Sequence, residues 1–291
     1  MPLPIISADQ RLAEPRGIKG CIFGKSGIGK TSLLKTLDPA TTLFFDLEAG
    51  DLAVESWGGN SIRPKSWSEC RDLGVFIGGA NEFLPDDDCY SKAHFNHVCA
   101  HYGSRSFLDN YETIFIDSIT VAGRLSFQWS KGESLLTDKL GKTKPDTRAA
   151  YGLHGQEMMA WLTHLQHTRN KNIWFVGILD EKVDDYNRRY YQPQIEGLKI
   201  GLELPGIVDQ VITMAEVKKI VKGKDGKETE ESDRAFICHT LNLYGYPAKD
   251  RSGKLACIED ADLGKLMDKL RKGTPQPLTP GLNTPLTGEQ K

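Results

Sequence analysis

The sequence predicts an α/β fold: a mostly parallel sheet with helices on both faces and an antiparallel hairpin at one edge. Three observations predict this class. Short apolar runs recur along the chain, helical or loop-like segments separate most of them, and a glycine-rich turn joins the first run to a segment of helical character. With 291 residues, 39% of them hydrophobic, the chain can bury a large core.

The core strands are predicted from four apolar runs, which lie at residues 17–23, 42–45, 113–116 and 173–179. Helical character follows the first run, over residues 31–37. Residues 155–166 carry apolar side chains at helical spacing, which predicts an amphipathic helix just before the last of these strands. Strands that alternate with helices in this way favour parallel pairing.

The hairpin is predicted in the C-terminal third of the chain. Residues 211–221 and 235–243 look extended, and residues 224–227 between them read as a turn. We expect residues 228–233 to form a solvated, mobile tip.

Three segments are expected along the chain. Residues 1–16 form an N-terminal arm, and residues 17–272 form one domain. Residues 273–291 are rich in proline and threonine and have almost no large apolar side chain, so we expect this tail to be disordered.

The composition excludes several classes of protein. The 37 Lys and Arg residues nearly balance the 39 Asp and Glu residues, which argues against a histone-like binder of polyanions. The longest apolar run is far shorter than the roughly 20 residues of a membrane span, and the first residues do not form a signal peptide. Six cysteines without a CxxC pair fit reduced thiols. We therefore expect a cytoplasmic protein with no membrane partner.

A glycine-rich segment after the first predicted strand carries a complete phosphate-binding motif. Residues 24–31 read Gly-Lys-Ser-Gly-Ile-Gly-Lys-Thr and match GxxxxGK[ST] in full. The glycines let backbone N–H groups face the phosphates, Lys30 neutralises β- and γ-phosphate oxygens, and Thr31 offers its hydroxyl to Mg²⁺. A tight structural turn is the alternative. The predicted nucleotide-binding residues are Gly24, Lys25, Ser26, Gly27, Ile28, Gly29, Lys30, Thr31 and Ser32.

Two further strands are predicted to end in carboxylates near this loop. The third apolar run ends in Asp117, as in a Walker B strand whose aspartate holds Mg²⁺. The alternative is a helix N-cap at Asp117 or Ser118, and the two roles can coexist. The second run is followed by Asp46 and Glu48. We favour Glu48 as the group that orients or deprotonates the attacking water, because Asp46 lies nearer the apolar strand and suits structural hydrogen bonds.

The phosphate loop, the Asp-x-Glu after the second strand and the Asp-Ser after the Walker B strand resemble those of RecA-type ATPases. Within that group the chain is most similar to the phage-encoded RecA-like nucleotide-binding proteins associated with single-strand annealing and recombination. Residues 204–211 and 246–253 are similar to later blocks of those proteins, so the resemblance extends from residue 18 to residue 266. The resemblance implies a RecA-like P-loop NTPase core that hydrolyses ATP with Mg²⁺.

The resemblance also implies a homo-oligomer, a ring or a filament, with ATP between subunits. In such ATPases a Lys-x-Lys or Lys-x-Arg after a late strand reaches the neighbour's γ-phosphate, and Lys249 and Arg251 match that pattern. Cations inserted in trans stabilise charge on the transferring phosphoryl group and make hydrolysis depend on assembly. A basic turn exposed to solvent is the alternative. The chain departs from the family at residues 180–182, which read Asp-Glu-Lys where a polar γ-phosphate sensor, commonly Gln, is expected.

In RecA-like proteins DNA-binding loops follow core strands, and residues 131–148 and 184–199 occupy corresponding places. Cations meet phosphates and aromatic rings stack on bases, which suits single-stranded DNA. Mobile, solvated loops are the alternative. The candidate DNA-binding residues are Lys139, Lys142, Lys144, Arg148, Arg188, Arg189, Tyr190 and Lys199.

The leading hypothesis is a phage ATPase that assembles on single-stranded DNA and promotes annealing or recombination in the host cytoplasm. Its predicted catalytic residues are Glu48, Lys30, Lys249 and Arg251, and its predicted Mg²⁺ ligands are Thr31 and Asp117. The expected partners are single-stranded DNA and further copies of the chain, and a single-strand DNA-binding protein is a further candidate. A P-loop kinase acting on a nucleoside or nucleotide, and a non-catalytic ATP-dependent assembly switch in phage replication, are the alternatives.

Overall fold

A sheet of ten strands lies at the centre of the protein in a computed structural model, which describes residues 5–137, 141–222 and 228–274. Two further short strands pair with each other in a separate antiparallel ribbon. The strands are β1 Lys19–Gly24, β2 Thr42–Asp46, β3 Asn60–Ile62, β4 Thr113–Asp117, β5 Leu135–Thr137, β6 Thr143–Pro145, β7 Asn172–Val183, β8 Arg189–Pro193, β9 Gln210–Lys222, β10 Glu228–Ile237, β11 Lys249–Asp250 and β12 Ile258–Asp260. The helices are α1 Ala8–Ala13, α2 Trp67–Gly78, α3 Lys92–Tyr102, α4 Ile119–Glu133, α5 Thr147–Gln166, α6 Leu198–Ile207 and α7 Leu263–Lys272.

The sheet has the strand order β12-β10-β9-β1-β7-β4-β2-β3, with β11 paired to β9 and β8 paired to β7. From β9 to β3 all neighbouring strands are parallel. At the other side β10 runs antiparallel to β9, and β12 runs antiparallel to β10. The predicted fold class is confirmed.

Both faces of the sheet are covered, because successive residues of each core strand enter opposite hydrophobic clusters. On β1, Cys21 and Phe23 join the cluster that contains Trp161 of α5, whereas Ile22 joins the cluster that contains Leu266 of α7. Strands β4 and β7 alternate in the same way. The first face is covered by α2, α4 and α5, and the second by α7 with short 3-10 turns.

The strand order places the candidate residues at the carboxyl-end edge of the sheet, where the parallel strands finish. The carboxyl ends of β1, β4 and β2 all lie there, and β7 separates β1 from β4. Gly24 ends β1, Asp117 ends β4 and Asp46 ends β2. The phosphate loop therefore begins at the edge where both acidic strand ends lie.

Two helical predictions differ in extent from the structure. The segment after the phosphate loop forms only a six-residue 3-10 helix, Thr31–Thr36. Pro39 disfavours the helical conformation of the residue before it, and the Thr36 hydroxyl donates a hydrogen bond to the Leu33 carbonyl at 2.7 Å, so the helix ends at Thr36, one residue before the predicted end. The helix expected at 155–166 is longer, because α5 begins at Thr147, where Asp146 caps it.

The predicted hairpin is present as β9 and β10, but part of it was assigned wrongly. Residues 228–233, predicted as a solvated tip, belong to β10 and pair with residues 217–222 of β9. The long edge of β9 offers unpaired N–H and C=O groups, and pairing with them outweighs the polar composition of this segment. Residues 224–227, predicted as a turn, and all but the first two residues of the predicted tail lie outside the described residues. None of the described helices combines the length and the apolar character that crossing a membrane requires.

Candidate functional site

The phosphate loop connects the buried strand β1 to the 3-10 helix at Thr31–Thr36. Gly27 and Gly29 have φ angles of 80° and 98°, a region that side chains other than glycine rarely adopt. The Lys30 ammonium curls back and donates hydrogen bonds to the carbonyl oxygens of Gly24 and Lys25, both at 2.9 Å. Burial lowers the pKa of Lys30, while Asp117 and Glu48 act in the opposite direction. The ammonium is thus held at the mouth of the loop.

Thr31 and Asp117 meet across the site. The Thr31 hydroxyl donates a hydrogen bond to Asp117 Oδ2 at 2.5 Å, although the two residues are far apart in sequence. Burial raises the pKa of Asp117 to about 6, with the Thr31 hydrogen bond opposing this rise and Glu48 adding to it. Hydroxyl and carboxylate oxygens are the ligands that Mg²⁺ prefers, so this pair suits the ion. Ser118 caps α4 by accepting a hydrogen bond from the Val121 N–H, so the N-cap falls on Ser118 and a metal role for Asp117 stays a prediction.

The two acidic residues after β2 have different surroundings. The carboxylate of Glu48 accepts a hydrogen bond from the Ser118 hydroxyl, which brings Glu48 next to the end of β4. Asp46 is buried and accepts hydrogen bonds from Arg63 Nε at 3.1 Å and from the Gly50 N–H at 3.2 Å. The Asp46 carboxylate is therefore occupied by structural contacts, and Glu48 is the exposed carboxylate of the pair.

Lys249 and Arg251 lie toward the amino ends of the parallel strands, away from the phosphate loop. Lys249 pairs with Val211 of β9, which is level with Cys21 of β1. The Arg251 N–H donates to the Asp209 carbonyl, two residues further from the loop. At about 3.3 Å per strand residue, Arg251 lies roughly 17 Å from the level of Gly24. The two cations do not reach the phosphate loop of their own chain, so a role in phosphate binding requires a neighbouring subunit and stays a prediction.

Within the chain these two cations cap the end of α6. Lys249 Nζ donates to the carbonyl oxygens of Pro205 at 2.5 Å and Val208 at 2.9 Å. Arg251 forms an ion pair with Asp209 at 2.8 Å. Cations favour the C-terminal carbonyls of a helix, which is a structural reason for their position. Burial lowers the pKa of Lys249, and nearby Arg251 contributes to this.

The candidate DNA-binding residues fall on two separate elements. Arg188, Arg189 and Tyr190 belong to the β7–β8 hairpin, which extends beyond the end of β1 because residues 179–183 pair with β8 and not with β1. All three are exposed. Lys144 lies on β6 and Arg148 on the first turn of α5, and both are exposed, as is Lys142 between the two strands. Lys139 lies outside the described residues, and the side chain of Lys199, on α6, is not described.

Two residues near the loop have contacts that the sequence did not predict, although Glu181 lies in the segment where a γ-phosphate sensor was expected. Glu181 lies on β7, where its carboxylate is 3.7 Å from Lys25 Nζ and 3.1 Å from the Arg189 guanidinium. It thus connects the phosphate loop with the β7–β8 hairpin. Arg234 of β10 lies beside the loop, with Nη1 3.4 Å from the Ile28 carbonyl oxygen. Both contacts depend on how strands pair, which spacing along the chain does not reveal.

The chain aligns with several solved structures, among them an ATPase, a recombinase and a phage protein. An ATPase from the type III secretion system of pathogenic bacteria aligns at a TM-score of 0.36 and 12% identity, over 69% of this chain and 52% of its own. The RadB recombinase aligns at a TM-score of 0.34 and 12% identity, over 85% of this chain and 92% of its own. The P4 protein from bacteriophage phi13 aligns at a TM-score of 0.27 and 13% identity, over 77% of this chain and 59% of its own. The chain thus spans about half the length of the first of these proteins.

No curated protein matches the chain in sequence. A family model does: the model described as an AAA domain matches residues 16–252. The match begins just before β1, contains the phosphate loop, Glu48 and Asp117, and ends just after Arg251. It covers most of the chain, and we conclude that this protein belongs to the AAA domain family.

Proposed function

We propose that the protein is a Mg²⁺-dependent ATPase. The observation that carries this proposal is the convergence, at the carboxyl edge of the parallel sheet, of three groups from three strand ends. Lys30 comes from the loop after β1, Glu48 from the end of β2 and Asp117 from the end of β4, and the last two are joined through Ser118. An ATP-hydrolysing site needs a phosphate-binding cation, a metal-binding carboxylate and a group that positions water.

Each residue then has a defined task. The loop N–H groups and Lys30 bind the phosphates, for which Lys30 exchanges its two backbone carbonyl partners for phosphate oxygens. Thr31 and Asp117 hold Mg²⁺, which when bound neutralises negative charge on the β- and γ-phosphates. Asp117 has a pKa of about 6 and is mostly ionised at pH 7, as a metal ligand must be. Glu48 accepts a proton from, or orients, the attacking water.

We further propose that the active unit is a homo-oligomer. Lys249 and Arg251 lie toward the amino ends of the parallel strands, away from the phosphate loop of their own chain. If a neighbouring subunit places that side of its sheet against this loop, its two cations reach the triphosphate. For this contact Arg251 exchanges its ion pair with Asp209 for phosphate oxygens. Hydrolysis would then require assembly, because a lone subunit lacks these cations at its site.

The partner that we propose for the assembly is single-stranded DNA, with annealing or recombination of phage DNA as its role. The exposed Arg188, Arg189 and Tyr190 of the β7–β8 hairpin combine cations with an aromatic ring, which suits a single strand. Glu181 contacts both Arg189 and Lys25, so DNA phosphate that binds Arg189 competes with the Glu181 carboxylate, which also contacts Lys25 of the phosphate loop. This supports an ATPase that responds to DNA.

The experiment is an ATPase assay with and without single-stranded DNA, over a series of protein concentrations. We expect Mg²⁺-dependent phosphate release, a rate per subunit that rises with concentration, stimulation by DNA, and loss of activity in Lys30→Ala. A rate per subunit independent of concentration counts against shared sites. Transfer of phosphate to an added nucleoside or nucleotide would favour a kinase instead.

A further inference from the structure

A second cation lies beside the phosphate loop, from a strand 206 positions further along the chain. Arg234 Nη1 is 3.4 Å from the Ile28 carbonyl oxygen. A Cβ atom on Gly29 would lie 2.3 Å from the same nitrogen, so the guanidinium lies directly against the loop at Gly29. The φ angle of 98° at Gly29 independently favours glycine at this position.

The positive charge of Arg234 has no carboxylate partner among the described residues. The β9–β10 register pairs Arg234 with Glu216, yet the two side chains form no ion pair within that part of the chain. The one acceptor of the guanidinium there is the neutral carbonyl of Ile28. Arg234 is also exposed, so its remaining N–H groups are available to a ligand. A guanidinium offers several donors in a planar fork that matches phosphate oxygens.

The strand order fixes the side from which Arg234 approaches. Strands β9 and β10 lie on one flank of β1, whereas β7, β4 and β2 lie on the other. Asp117 and Glu48 reach the loop from the β4 and β2 flank, where Thr31 binds Asp117. The Mg²⁺ and γ-phosphate end of the nucleotide belongs to that flank. Arg234 faces the other flank, near Ser32, whose Oγ is 3.9 Å from the Cβ position of Gly29.

We propose that Arg234 binds the α-phosphate side of the nucleotide within its own subunit, as a cation additional to Lys30. This rests on the proposed nucleotide site. Because ADP and ATP share the α- and β-phosphates, Arg234 contributes equally to the binding of both. It is a binding residue for nucleotide and does not distinguish the triphosphate from the diphosphate.

The test is calorimetric titration of the full chain with ADP and with a nonhydrolysable ATP analogue, each with Mg²⁺. Arg234→Ala is expected to weaken both ligands by about tenfold, the lower end of the range for a charge-assisted hydrogen bond at an exposed site. Arg234→Lys should recover part of the loss because it keeps the charge. The control is Arg169→Ala, which removes an exposed arginine paired with Glu14 in the turn between α5 and β7, at the opposite edge, and should leave both affinities unchanged.

The remaining outcomes are distinguishable. Unchanged affinities in Arg234→Ala overturn the proposal, and so does a loss confined to the ATP analogue, which would place the guanidinium at the γ-phosphate. A loss accompanied by a lower melting temperature without nucleotide, and not reduced in Arg234→Lys, would overturn it in favour of a purely structural role. If the wild-type protein and Lys30→Ala both fail to bind either nucleotide, the proposed function itself fails.

Discussion

Replacing the buried carboxylate of Asp117 by an amide should make the fold increasingly stable relative to the wild-type protein as the pH rises, while abolishing Mg²⁺ binding. The Asp117 side chain is buried at the end of β4, and burial is the main cause that raises its pKa from 3.8 to about 6. The folded state thus holds a proton on this group more tightly than the unfolded chain does. An ionised Asp117 therefore costs stability, which is a common feature of sites arranged for function.

The pKa of Asp117 gives the size and sign of its contribution to the free energy of unfolding. The rise from 3.8 to about 6 corresponds to about 3 kcal/mol, at about 1.4 kcal/mol per pKa unit. Protonated Asp117 contributes this stability to the wild-type protein below pH 3.8, and the contribution is lost as the pH rises through about 6. Asp117→Asn does not titrate, so the stability of the variant relative to wild type should increase by about 2–3 kcal/mol between about pH 4 and pH 7. Any constant cost of burying the amide cancels in this difference.

The assay is urea unfolding of both proteins in EDTA at fixed protein concentration over this pH range. Adding Mg²⁺ at pH 7 should then stabilise the wild-type protein and not the variant. Asp46→Asn is the matched control, since its carboxylate accepts hydrogen bonds from Arg63 and Gly50, and we expect a loss of about 1 kcal/mol. A difference between Asp117→Asn and wild type that does not change with pH, or that shrinks as pH rises, would show that ionised Asp117 does not destabilise the fold.

Three further predictions concern catalysis and coupling. Glu48→Gln should lower ATP turnover by about 10²- to 10⁴-fold with nucleotide affinity retained, and equal losses in both would contradict its role with water. Lys30→Ala and Arg251→Ala should each be inactive alone but recover part of the activity when mixed, because the mixture contains interfaces that pair an intact loop with an intact cation; absence of recovery in a mixed oligomer argues against trans action. Glu181→Gln should change the ratio of DNA-stimulated to DNA-free ATPase rates by about two- to fivefold, as expected for partly exposed ion pairs with Lys25 and Arg189, and an unchanged ratio contradicts the coupling.

The parts of the site that depend on local sequence were predictable. The phosphate loop needs glycines at fixed offsets between a strand and a helical turn, and all of these lie within residues 19–36. Core strands such as β4 were predictable because burial on both faces demands continuous apolar runs. The acidic ends of β2 and β4 follow from the same runs, because parallel strands end at one edge.

The parts that depend on strand pairing were not predictable from spacing. The insertion of β7 between β1 and β4, and the extension of β7 into a hairpin, are set by which strands pair. Arg234 lies at the boundary between a segment expected to be a mobile tip and one expected to be a strand, and nothing local distinguishes it. The capping of α6 by Lys249 likewise depends on β11 pairing with β9.

The most direct measurement is a crystal structure of the full chain with Mg²⁺ and a nonhydrolysable ATP analogue. We expect the phosphates within hydrogen-bond distance of the loop N–H groups and of Lys30 Nζ, with the ion bound by Thr31 and Asp117. An analogue bound elsewhere, with Lys30 still on the carbonyl oxygens of Gly24 and Lys25, would contradict the account.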